Sequence, residues 1–594
     1  MGCEKTLRFA RIASRVTPPV SDYALPRLPE RAPPTRLSAL LFEAKVWALR
    51  ARHGLPATRP ALLTKGDIDL FPYLIAWSRT RLWNDPQPAE RAAQQGKVQN
   101  LRLAAAAFDR LVLTPGDAFS FWRQLGRASR RRGFVKGRML KEGCMVSAVG
   151  GGLCQLSNAL HAVALDGKLE IVERHGHSRI VPGSAAAVGC DATIAWNYVD
   201  LRFRAAQHTM LRVYLTAEEL AVELRGLSAG EAFILRGEDK GMDRTCATCD
   251  QTGCFRHERD TGRERHAVLT DEAWPEFRAL AAVGDVLASP HAGTRYGWDR
   301  LRPAATAPLA ALWRAFAQRR AKTAPERRAA ELRGAKRIAR RLARALTPDV
   351  TEVTVAQSLL PTLWREGHLG GRRFRVLMTR MPMAEIQARL DAAAKTHPGR
   401  ASLADFRADP ALLAAETEAL AAADKIVTPH AEIARLFGER AVLVDWRMPK
   451  PLARKGAVVP DRIVFPGPTI ARKGAYELRE AARALDLEVV LIGSELEGSG
   501  FWNGVRTIRA GTTNWLDGVA CVVQPALLED APRRLFEARA SGVPVIATAA
   551  CGLDGITIIP ADDVAALIAA ISSELGRPPH PASRTAPDRV SPAL

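Results

Sequence analysis

The second half of the sequence alternates short apolar strands with helices, and this alternation constrains the fold more than any other feature. Val350–Gln357 and Lys425–Thr428 are predicted strands of one unit, and Val489–Ile492 and Val543–Thr548 are predicted strands of a second. Such an alternation is typical of a parallel sheet covered by helices on both faces. We therefore predict two Rossmann-like halves joined near Trp446, with ligands bound at the carboxyl ends of their strands.

A glycine triplet in the first half leads into a candidate nucleophile. Gly150–Gly152 precede Cys154, which stands at the predicted start of a helix, and a short strand then leads to His175 and His177. Glycines permit a turn with positive φ, and the positive end of a helix dipole favours a thiolate. Either histidine is a candidate general base. A buried structural cysteine with two solvated loop histidines explains the same pattern, and the sequence leaves both interpretations open.

These residues also resemble a known family. The runs GGGLCQLSNAL, LEIVERHGHS and GCDATIAWNYVDLRF are similar to the VanW family, named for a protein of vancomycin-resistance gene clusters, and the resemblance covers about Lys65 to Leu227. It implies an association with the bacterial envelope but no settled reaction. Cys190 stands where the family usually has an arginine before Asp191. If that arginine binds an anion in the family, this chain would hold the anion in a different way. Short alternating strands at Val199–Phe203 and Thr209–Tyr214 predict an α+β domain.

The chain is long and strongly basic. It has 594 residues, 85 Lys and Arg against 63 Asp and Glu, and a net charge of +22, which favours an acidic partner such as a nucleotide-sugar, an anionic lipid surface or a teichoic-type polymer. Nucleic acid is not expected, because no basic motif interleaved with aromatic residues occurs. No signal-peptide core and no long uncharged apolar run is found, which predicts a cytoplasmic protein. The predicted helix Ser38–Arg52, with Ser38 as N-cap, packs on the first domain or lies on a membrane. The arginine-rich helix Pro325–Leu346 presents a solvated charged face or docks on an anionic membrane.

A short cysteine-rich insert is a candidate metal site. Cys246, Cys249, Cys254 and His257 have the spacing C-x2-C-x4-C-x2-H, which supplies four ligands for a structural zinc ion. A reduced thiol cluster, a redox-active pair and an iron–sulfur cluster with a further cysteine are the alternatives.

Pro525–Gly552 carries a second resemblance. Glu529 and Glu537 have the E-x7-E spacing of family-4-like GT-B glycosyltransferases, and the resemblance covers about residues 350 to 575. It implies transfer from a nucleotide-diphosphate sugar with retained configuration and without a metal. Glu529 would orient the sugar as the catalytic carboxylate, and Glu537, early in a helix, would hold the ribose hydroxyls.

The predicted diphosphate site lies in the loop that opens the last unit. Arg472 and Lys473 stand at a helix start, where backbone N–H groups, the helix dipole and side-chain charge all favour phosphate. Pro468 follows Gly467 where these enzymes usually have arginine, so one diphosphate contact is missing unless Arg472 replaces it. The alternative is a Rossmann-like domain that keeps this fold but no longer transfers a sugar from a nucleotide donor.

The sequence therefore predicts a multidomain protein: an α+β VanW-like domain followed by a GT-B-like α/β pair. The expected function is envelope-linked transfer of a sugar to an unknown saccharide or lipid-linked acceptor. Cys154-dependent acyl or peptidyl transfer on a cell-wall precursor and a non-catalytic, metal-stapled scaffold remain as alternatives. The predicted segments are an arm and amphipathic helix at 1–64, the VanW-like domain at 65–228, the insert at 229–270, an acceptor half at 271–445, a donor half at 446–575 and a disordered tail at 576–594.

Overall fold

The computed structural model confirms the predicted fold class: an α+β region precedes two halves that are each built on a parallel sheet. The structure describes residues 35–53, 60–85, 87–141, 144–177, 191–228, 233–236, 254, 262–282, 284–291, 303–511 and 514–578. Cys190, Cys246, Cys249 and His257 lie outside these residues, as does most of the predicted tail. Among the described helices, none combines the length and the apolar character that a membrane crossing requires.

The first helix, α1 (Arg36–His53), covers the predicted helix but has a different N-cap. The helix begins before Ser38, and the Ser38 backbone N–H donates to Thr35 Oγ1 at 3.3 Å, so Thr35 is the capping residue. Most of the helix is exposed, including Trp47 at 72%. Contact with the rest of the chain is concentrated near the C-terminal end, where Asn197 Nδ2 donates to the Arg50 carbonyl at 3.2 Å.

A five-stranded sheet organises the α+β region. Its strand order is β10-β1-β9-β8-β2, with β10 parallel to β1 and the other neighbours antiparallel. A three-stranded sheet, β3-β7-β6, and the hairpin β4-β5 complete the region. The elements in chain order are β1 (Tyr73–Arg81), α2 (Arg91–Phe108), β2 (Leu111–Leu113), β3 (Ala118–Ser120), α3 (Phe121–Leu125), β4 (Lys136–Lys141), β5 (Cys144–Val149), α4 (Leu153–Asp166), β6 (Glu170–Glu173), β7 (Arg202–Arg204), β8 (Thr209–Leu215), β9 (Glu219–Gly226) and β10 (Phe233–Arg236).

The core of this region is aromatic and apolar. Phe119 stacks on Phe203 with 4.5 Å between ring centroids, and Phe108 meets Phe119 edge-to-face. The predicted strand at Val199–Phe203 begins only at Arg202, because the backbone of Val199 turns back to bond with Ala195 in both directions. The packing buries one face of α4, including Leu153, Leu156 and Leu160, whereas Cys154 in its first turn is half-buried.

The middle region is a seven-stranded parallel sheet in the order β13-β12-β11-β14-β15-β16-β17. The sequence places Arg265–Leu269 in the cysteine-rich insert, but the structure places it inside this sheet as β11, between β12 and β14. The elements are β11 (Arg265–Leu269), β12 (Val286–Ser289), β13 (Ala305–Thr306), α5 (Pro308–Arg320), α6 (Ala324–Leu342), β14 (Val350–Ala356), α7 (Leu360–Arg365), β15 (Arg373–Leu377), α8 (Met383–Thr396), α9 (Pro410–Ala422), β16 (Lys425–Thr428), α10 (Ala431–Phe437) and β17 (Ala441–Leu443).

The arginine-rich helix α6 belongs to this core. Thr323 and Glu326 form a capping box at its N-terminus, where each side chain binds the other's backbone N–H. Ile338 and Leu342 on its apolar stripe are fully buried in the cluster that also holds the sheet residues. The helix ends at Leu342 and a short 3-10 turn continues to Ala345, so it is shorter than predicted.

The last region is a six-stranded parallel sheet in the order β20-β19-β18-β21-β22-β23. Helices pack on both faces, which separates its interior into two apolar clusters. The elements are β18 (Arg462–Phe465), α11 (Ala475–Ala484), β19 (Glu488–Leu491), β20 (Arg506–Arg509), β21 (Cys521–Gln524), α12 (Arg533–Ala540), β22 (Val545–Thr548), β23 (Thr557–Ile559) and α13 (Val564–Glu574).

The two parallel sheets meet at the loops that follow their strands. His430, after β16, approaches the carbonyl oxygens of Glu529 and Ala550 through Nε2, at 3.3 and 3.2 Å. Gly552 makes this approach possible, since a Cβ there would lie 2.4 Å from the His430 ring. Both carboxyl edges therefore face one another, as expected for a ligand site formed by two such halves.

Candidate functional site

The loop after β18 brings the predicted diphosphate-binding residues to this edge. Gly474 has φ +81°, and a Cβ there would stand 2.1 Å from the Pro525 carbonyl oxygen, so the close approach of the two loops requires glycine. The approach places Lys473 beside the segment after β21: Lys473 Nζ lies 3.0 Å from Glu529 Oε2 and donates to the Leu528 carbonyl at 2.9 Å. The structure thus brings together two residues that the sequence assigned to one donor site.

Glu529 is held in place from several directions. One carboxylate oxygen accepts the backbone N–H groups of Asp530 at 3.0 Å and Ala531 at 3.1 Å. The other binds Lys473 and the side-chain amide of Gln524. Because these contacts keep the carboxylate from turning, it can serve as a fixed acceptor for sugar hydroxyls at this edge.

Arg472 and Glu537 differ in how their charges are compensated. The Arg472 guanidinium stands over the Phe406 ring at 5.1 Å, and burial lowers its pKa although Asp530 and Asp405 act in the opposite direction. Glu537, on α12, is half-buried, and within the described part of the chain its carboxylate has no side-chain hydrogen bond or ion pair. A half-buried carboxylate without such a partner is available to a ligand.

Arg534 is a cation that the sequence interpretation missed. It lies on α12, and Nη1 donates to the carbonyl oxygen of Pro466, immediately before Gly467 and Pro468. The loop itself is tightly built, since a Cβ at Gly493 would stand 2.3 Å from the Gly467 carbonyl oxygen. Pro468 stands where an arginine is usual, and Arg534 reaches the same loop from α12. No local motif signals this contact, because the two residues are far apart in the chain.

The second site lies at the N-terminus of α4. Gly152, at φ +96°, forms the helix cap and makes no side-chain capping bond, and Cys154 follows in the first turn. Gly151 packs so closely on β4 that a Cβ would be 2.1 Å from the Gly137 carbonyl oxygen. Asn100, fully buried on α2, donates to the carbonyl of Gly151 at 2.9 Å and fixes the loop. The helix start predicted at Cys154 is found, and the thiol is half-buried there.

The structure separates the two predicted histidines. The His175 ring is bound to a different residue, since its Nε2 lies 3.2 Å from Glu173 Oε1. The His177 ring interacts with the Cys154 side chain, and its Nδ1 is bound to the Asp191 carboxylate. Hydrogen bonding to Cys154 raises the pKa of His177 to about 9 against the effect of burial, and Asp191 adds to the increase. Asp191 is a functional candidate that sequence reasoning did not identify.

The predicted metal site stays a prediction. Of its four residues only Cys254 is described, and it is a free thiol. A different group of potential ligands, His397, Glu477 and Asp562, comes together in the described part of the chain. Arg400 forms ion pairs with both carboxylates of this group, so the negative charge of the group is partly compensated.

Comparison with known proteins identifies the first region. Residues 96–225 match the family described as VanW like protein. These residues form a VanW-like domain. Over 154 residues the chain is 33% identical to the vancomycin B-type resistance protein VanW of Enterococcus faecalis, which is 25% of this chain and 55% of that protein. Over 113 residues it is 34% identical to the uncharacterized protein YoaR of Bacillus subtilis, which is 19% of this chain and 37% of YoaR.

The chain thus spans about half the length of the first relative and little more than a third of the second. Cys154, His177 and Asp191 all lie within the VanW-like domain. Neither relative accounts for the two parallel-sheet regions.

Solved glycosyltransferases of GT-B type resemble the C-terminal regions. Sucrose-phosphate synthase from Thermosynechococcus elongatus has 15% identity and a TM-score of 0.34, covering 53% of this chain and 90% of that one. The trehalose-phosphate synthase of Burkholderia vietnamiensis has 14% identity and a TM-score of 0.31, with 53% and 90% coverage. The galactosyltransferase WaaB, of the lipopolysaccharide outer core, has 14% identity and a TM-score of 0.29, with 52% and 91% coverage.

Proposed function

We propose that the two parallel-sheet regions transfer a sugar from a nucleotide-diphosphate donor. The observation that carries this proposal is the Lys473–Glu529 pair, at 3.0 Å, on the carboxyl edge of one sheet where it faces the carboxyl edge of the other. Ligands of open α/β sheets bind at such edges. A cation and a fixed carboxylate that touch each other there suit a ligand with a phosphate group next to a hydroxylated ring.

Each residue of this edge has a separate task. The Lys473 ammonium has three protons, of which Leu528 and Glu529 take two, so one remains for a diphosphate oxygen. Arg472 adds positive charge, and Arg534 supplies a planar guanidinium beside the Gly467 loop. Glu529 orients the sugar. Glu537, without a side-chain partner among the described residues, accepts the ribose hydroxyls.

Retention of configuration is the finer part of the proposal. The family resemblance of Glu529 and Glu537 implies a retaining transfer that uses no metal ion. NMR of the first-formed product tests it, because the coupling constant of the anomeric proton distinguishes the two configurations. An inverted product would contradict retention and leave the transferase assignment standing.

The proposed acceptor and compartment are supported by the charge of the chain and by the fused domain. We propose an envelope saccharide or a lipid-linked sugar as acceptor, used on the cytoplasmic side of the membrane. The net charge of +22 supports contact with an anionic acceptor or an anionic membrane surface. Flotation with vesicles that contain anionic lipid, against neutral vesicles, tests the membrane contact.

Nucleotide binding tests the donor site. Purified full-length protein is titrated calorimetrically with UDP, GDP and ADP and with their sugar conjugates, alongside the variants Glu537→Ala and Glu480→Ala. Glu480 is an exposed carboxylate on α11 and serves as the matched control. Micromolar binding of one nucleotide that only Glu537→Ala abolishes would support the proposal. Failure of all three nucleotides to bind the wild type would overturn it.

A further inference from the structure

Helix α5 carries a row of exposed apolar side chains. Leu309, Leu312 and Phe316 are 80%, 61% and 56% exposed, and their spacing of three and four residues places them on one side of the helix. Trp313, next to this row, is half-buried against α6, where the Arg337 guanidinium stands 3.6 Å from the centre of its ring. Single exposed apolar side chains are common on proteins, but an aligned row on one helix marks an interaction surface.

The opposite face of α5 is fixed against the middle sheet. Arg314 Nη1 donates to Asp271 Oδ2 at 2.7 Å, and Asp271 follows β11 at the carboxyl edge of that sheet. Helix α6 approaches so closely that a Cβ at Gly334 would lie 2.5 Å from the Arg314 side chain. Because α5 is held by both contacts, its exposed row has a fixed direction. The helix is also tied to the edge that faces the proposed donor site.

The surroundings of this row are strongly basic. Residues 308–345, which comprise α5, α6 and their connection, contain twelve Lys and Arg against two Glu. The Arg320 guanidinium stands over the Phe316 ring at 5.3 Å, and Arg319 beside it is exposed. Neither arginine forms an ion pair within the described part of the chain. Their charges are therefore available to an anionic partner.

The two glutamates do not neutralise this surface. Glu326 belongs to the capping box of α6, and Glu331 pairs with Arg328 and Arg380. The exposed cations of α6 include Arg333, Lys336 and Arg341. Exposed apolar side chains with cations around them are typical of a surface that docks on a membrane with anionic headgroups.

We propose that α5 and the adjoining basic face of α6 dock this protein on an anionic lipid bilayer. Leu309, Leu312 and Phe316 enter the boundary between headgroups and acyl chains, and the arginines beside them contact lipid phosphates. This surface gives a location to the membrane contact of the proposed function, on which it rests, and it includes no residue of the donor site.

Charge distinguishes a bilayer from a second copy of this chain. A second copy would bring two surfaces of the same positive sign together, which is unfavourable. Anionic headgroups accept charge-assisted hydrogen bonds from guanidinium groups, and the acyl chains beneath them receive the apolar side chains. Because Arg314 ties α5 to Asp271, docking holds the carboxyl edge of the middle sheet near the membrane surface, where a lipid-linked acceptor is presented.

Flotation of the full-length protein with vesicles tests the docking. Vesicles of phosphatidylcholine alone are compared with vesicles that contain phosphatidylglycerol as well, at about 0.1 M and about 1 M salt. The wild type should float with the anionic vesicles only, and the bound fraction should fall at high salt because screening weakens the contact of exposed cations with headgroups. A wild type that does not bind the anionic vesicles would overturn the proposal.

Two double variants assign the contact to α5. Leu312→Ser with Phe316→Ser should lower the partition coefficient about tenfold or more, because less apolar surface leaves water. Arg319→Gln with Arg320→Gln should lower it about 10–30-fold, since each cation near an anionic surface contributes about fivefold. All four side chains are exposed, so the fold should be kept, and thermal unfolding checks this.

Leu443→Ser and Arg435→Gln are the matched controls. Leu443 is 58% exposed on β17, at the opposite edge of the sheet from β13, which leads into α5, and Arg435 is exposed on α10. Both controls should bind vesicles as the wild type does. Equal binding by the α5 variants and the controls would overturn the assignment to α5. Binding that only Trp47→Ser abolishes would place the contact on α1 and would contradict the proposal as well.

Light scattering of the wild type without lipid tests the second copy. A dimer that Leu312→Ser with Phe316→Ser dissociates, together with no binding to anionic vesicles, would replace the bilayer by a second chain and overturn the proposal. A monomer that binds anionic vesicles supports it. Nucleotide titration is a separate measurement, so a failure of docking and a failure of the donor site are distinguished.

Discussion

Arg380 Nε donates to Asp530 Oδ2 at 2.6 Å, and this bond joins the loop after β15 in one parallel sheet to the loop after β21 in the other. The same guanidinium binds Glu331 Oε1 on α6 at 3.0 Å. Burial opposes the ionisation of Asp530, but Arg380 and Lys473 outweigh it and lower the pKa of this carboxyl. The junction between the two sheets is therefore an ionic network that extends to the proposed donor site.

Asp530→Asn should weaken this junction. Asparagine keeps the shape but loses the charge-assisted bond, and because Glu331 still compensates Arg380 we expect a loss of about 1–3 kcal/mol in the free energy of unfolding at pH 7. Urea unfolding followed by tryptophan fluorescence measures it. The native pKa of Asp530 is lowered, so the difference in the free energy of unfolding between wild type and Asp530→Asn should be present above about pH 4. It should disappear as the pH falls through the native pKa.

A surface carboxylate provides the control for this change. Asp391 pairs with Arg407 at 2.9 Å but its side chain is 60% exposed, so Asp391→Asn should cost less than about 1 kcal/mol. If the two variants lost equal stability, the ion pair between Arg380 and Asp530 would have no special role in holding the two sheets together.

Lys473→Met should remove the proposed diphosphate contact without disturbing the fold. Methionine fills the space of the lysine stem but removes the ammonium, and the loss of a charge-assisted bond to phosphate should raise the Kd for the bound nucleoside diphosphate by about 10–100-fold. Calorimetry with the nucleotide that binds the wild type measures this.

Lys425→Met is the control, since Lys425 is exposed and its ammonium donates to the Glu439 carbonyl at 3.0 Å, away from the facing edges. Nucleotide affinity that is unchanged in both variants would remove Lys473 from the donor site.

Gly151→Ala should destabilise the VanW-like domain by steric conflict alone. The new Cβ would meet the Gly137 carbonyl oxygen at 2.1 Å, and backbone on both sides must move, at a cost of about 2–4 kcal/mol. Gly399→Ala is the matched control, because its Cβ would meet nothing within 4 Å. Thermal unfolding of the two variants measures the difference. A Gly151→Ala protein as stable as wild type would show that the close approach of the glycine loop to β4 is not required.

The regular elements were predictable because their periodicity is local. The strand Lys425–Thr428 was predicted with its observed bounds, and the predicted start of α4 at the glycine triplet is also found. Asp191 was not predictable as the partner of His177, since their contact depends on how the chain returns to α4. His175 and His177 were indistinguishable in sequence: alternate residues of an extended segment share a face, and only the end of β6 at Glu173 lets the two rings diverge.

His177→Asn should change the stability of the VanW-like domain in a pH-dependent way. The pKa of His177 is raised to about 9, above the ordinary value near 6.5, because the folded protein stabilises the imidazolium through Cys154 and Asp191. The folded state therefore binds this proton more tightly than the unfolded state, and its contribution is complete below about pH 6.5 and is lost as the pH rises through 9. Urea unfolding at pH 6, 8 and 10 should show a difference in the free energy of unfolding between wild type and His177→Asn. This difference should be largest at pH 6 and smallest at pH 10. His175→Asn, which removes a histidine paired with Glu173, controls for the loss of a loop imidazole. A difference in the free energy of unfolding that stays constant across this pH range would mean that the interaction of His177 with Cys154 and Asp191 does not stabilise the charged ring.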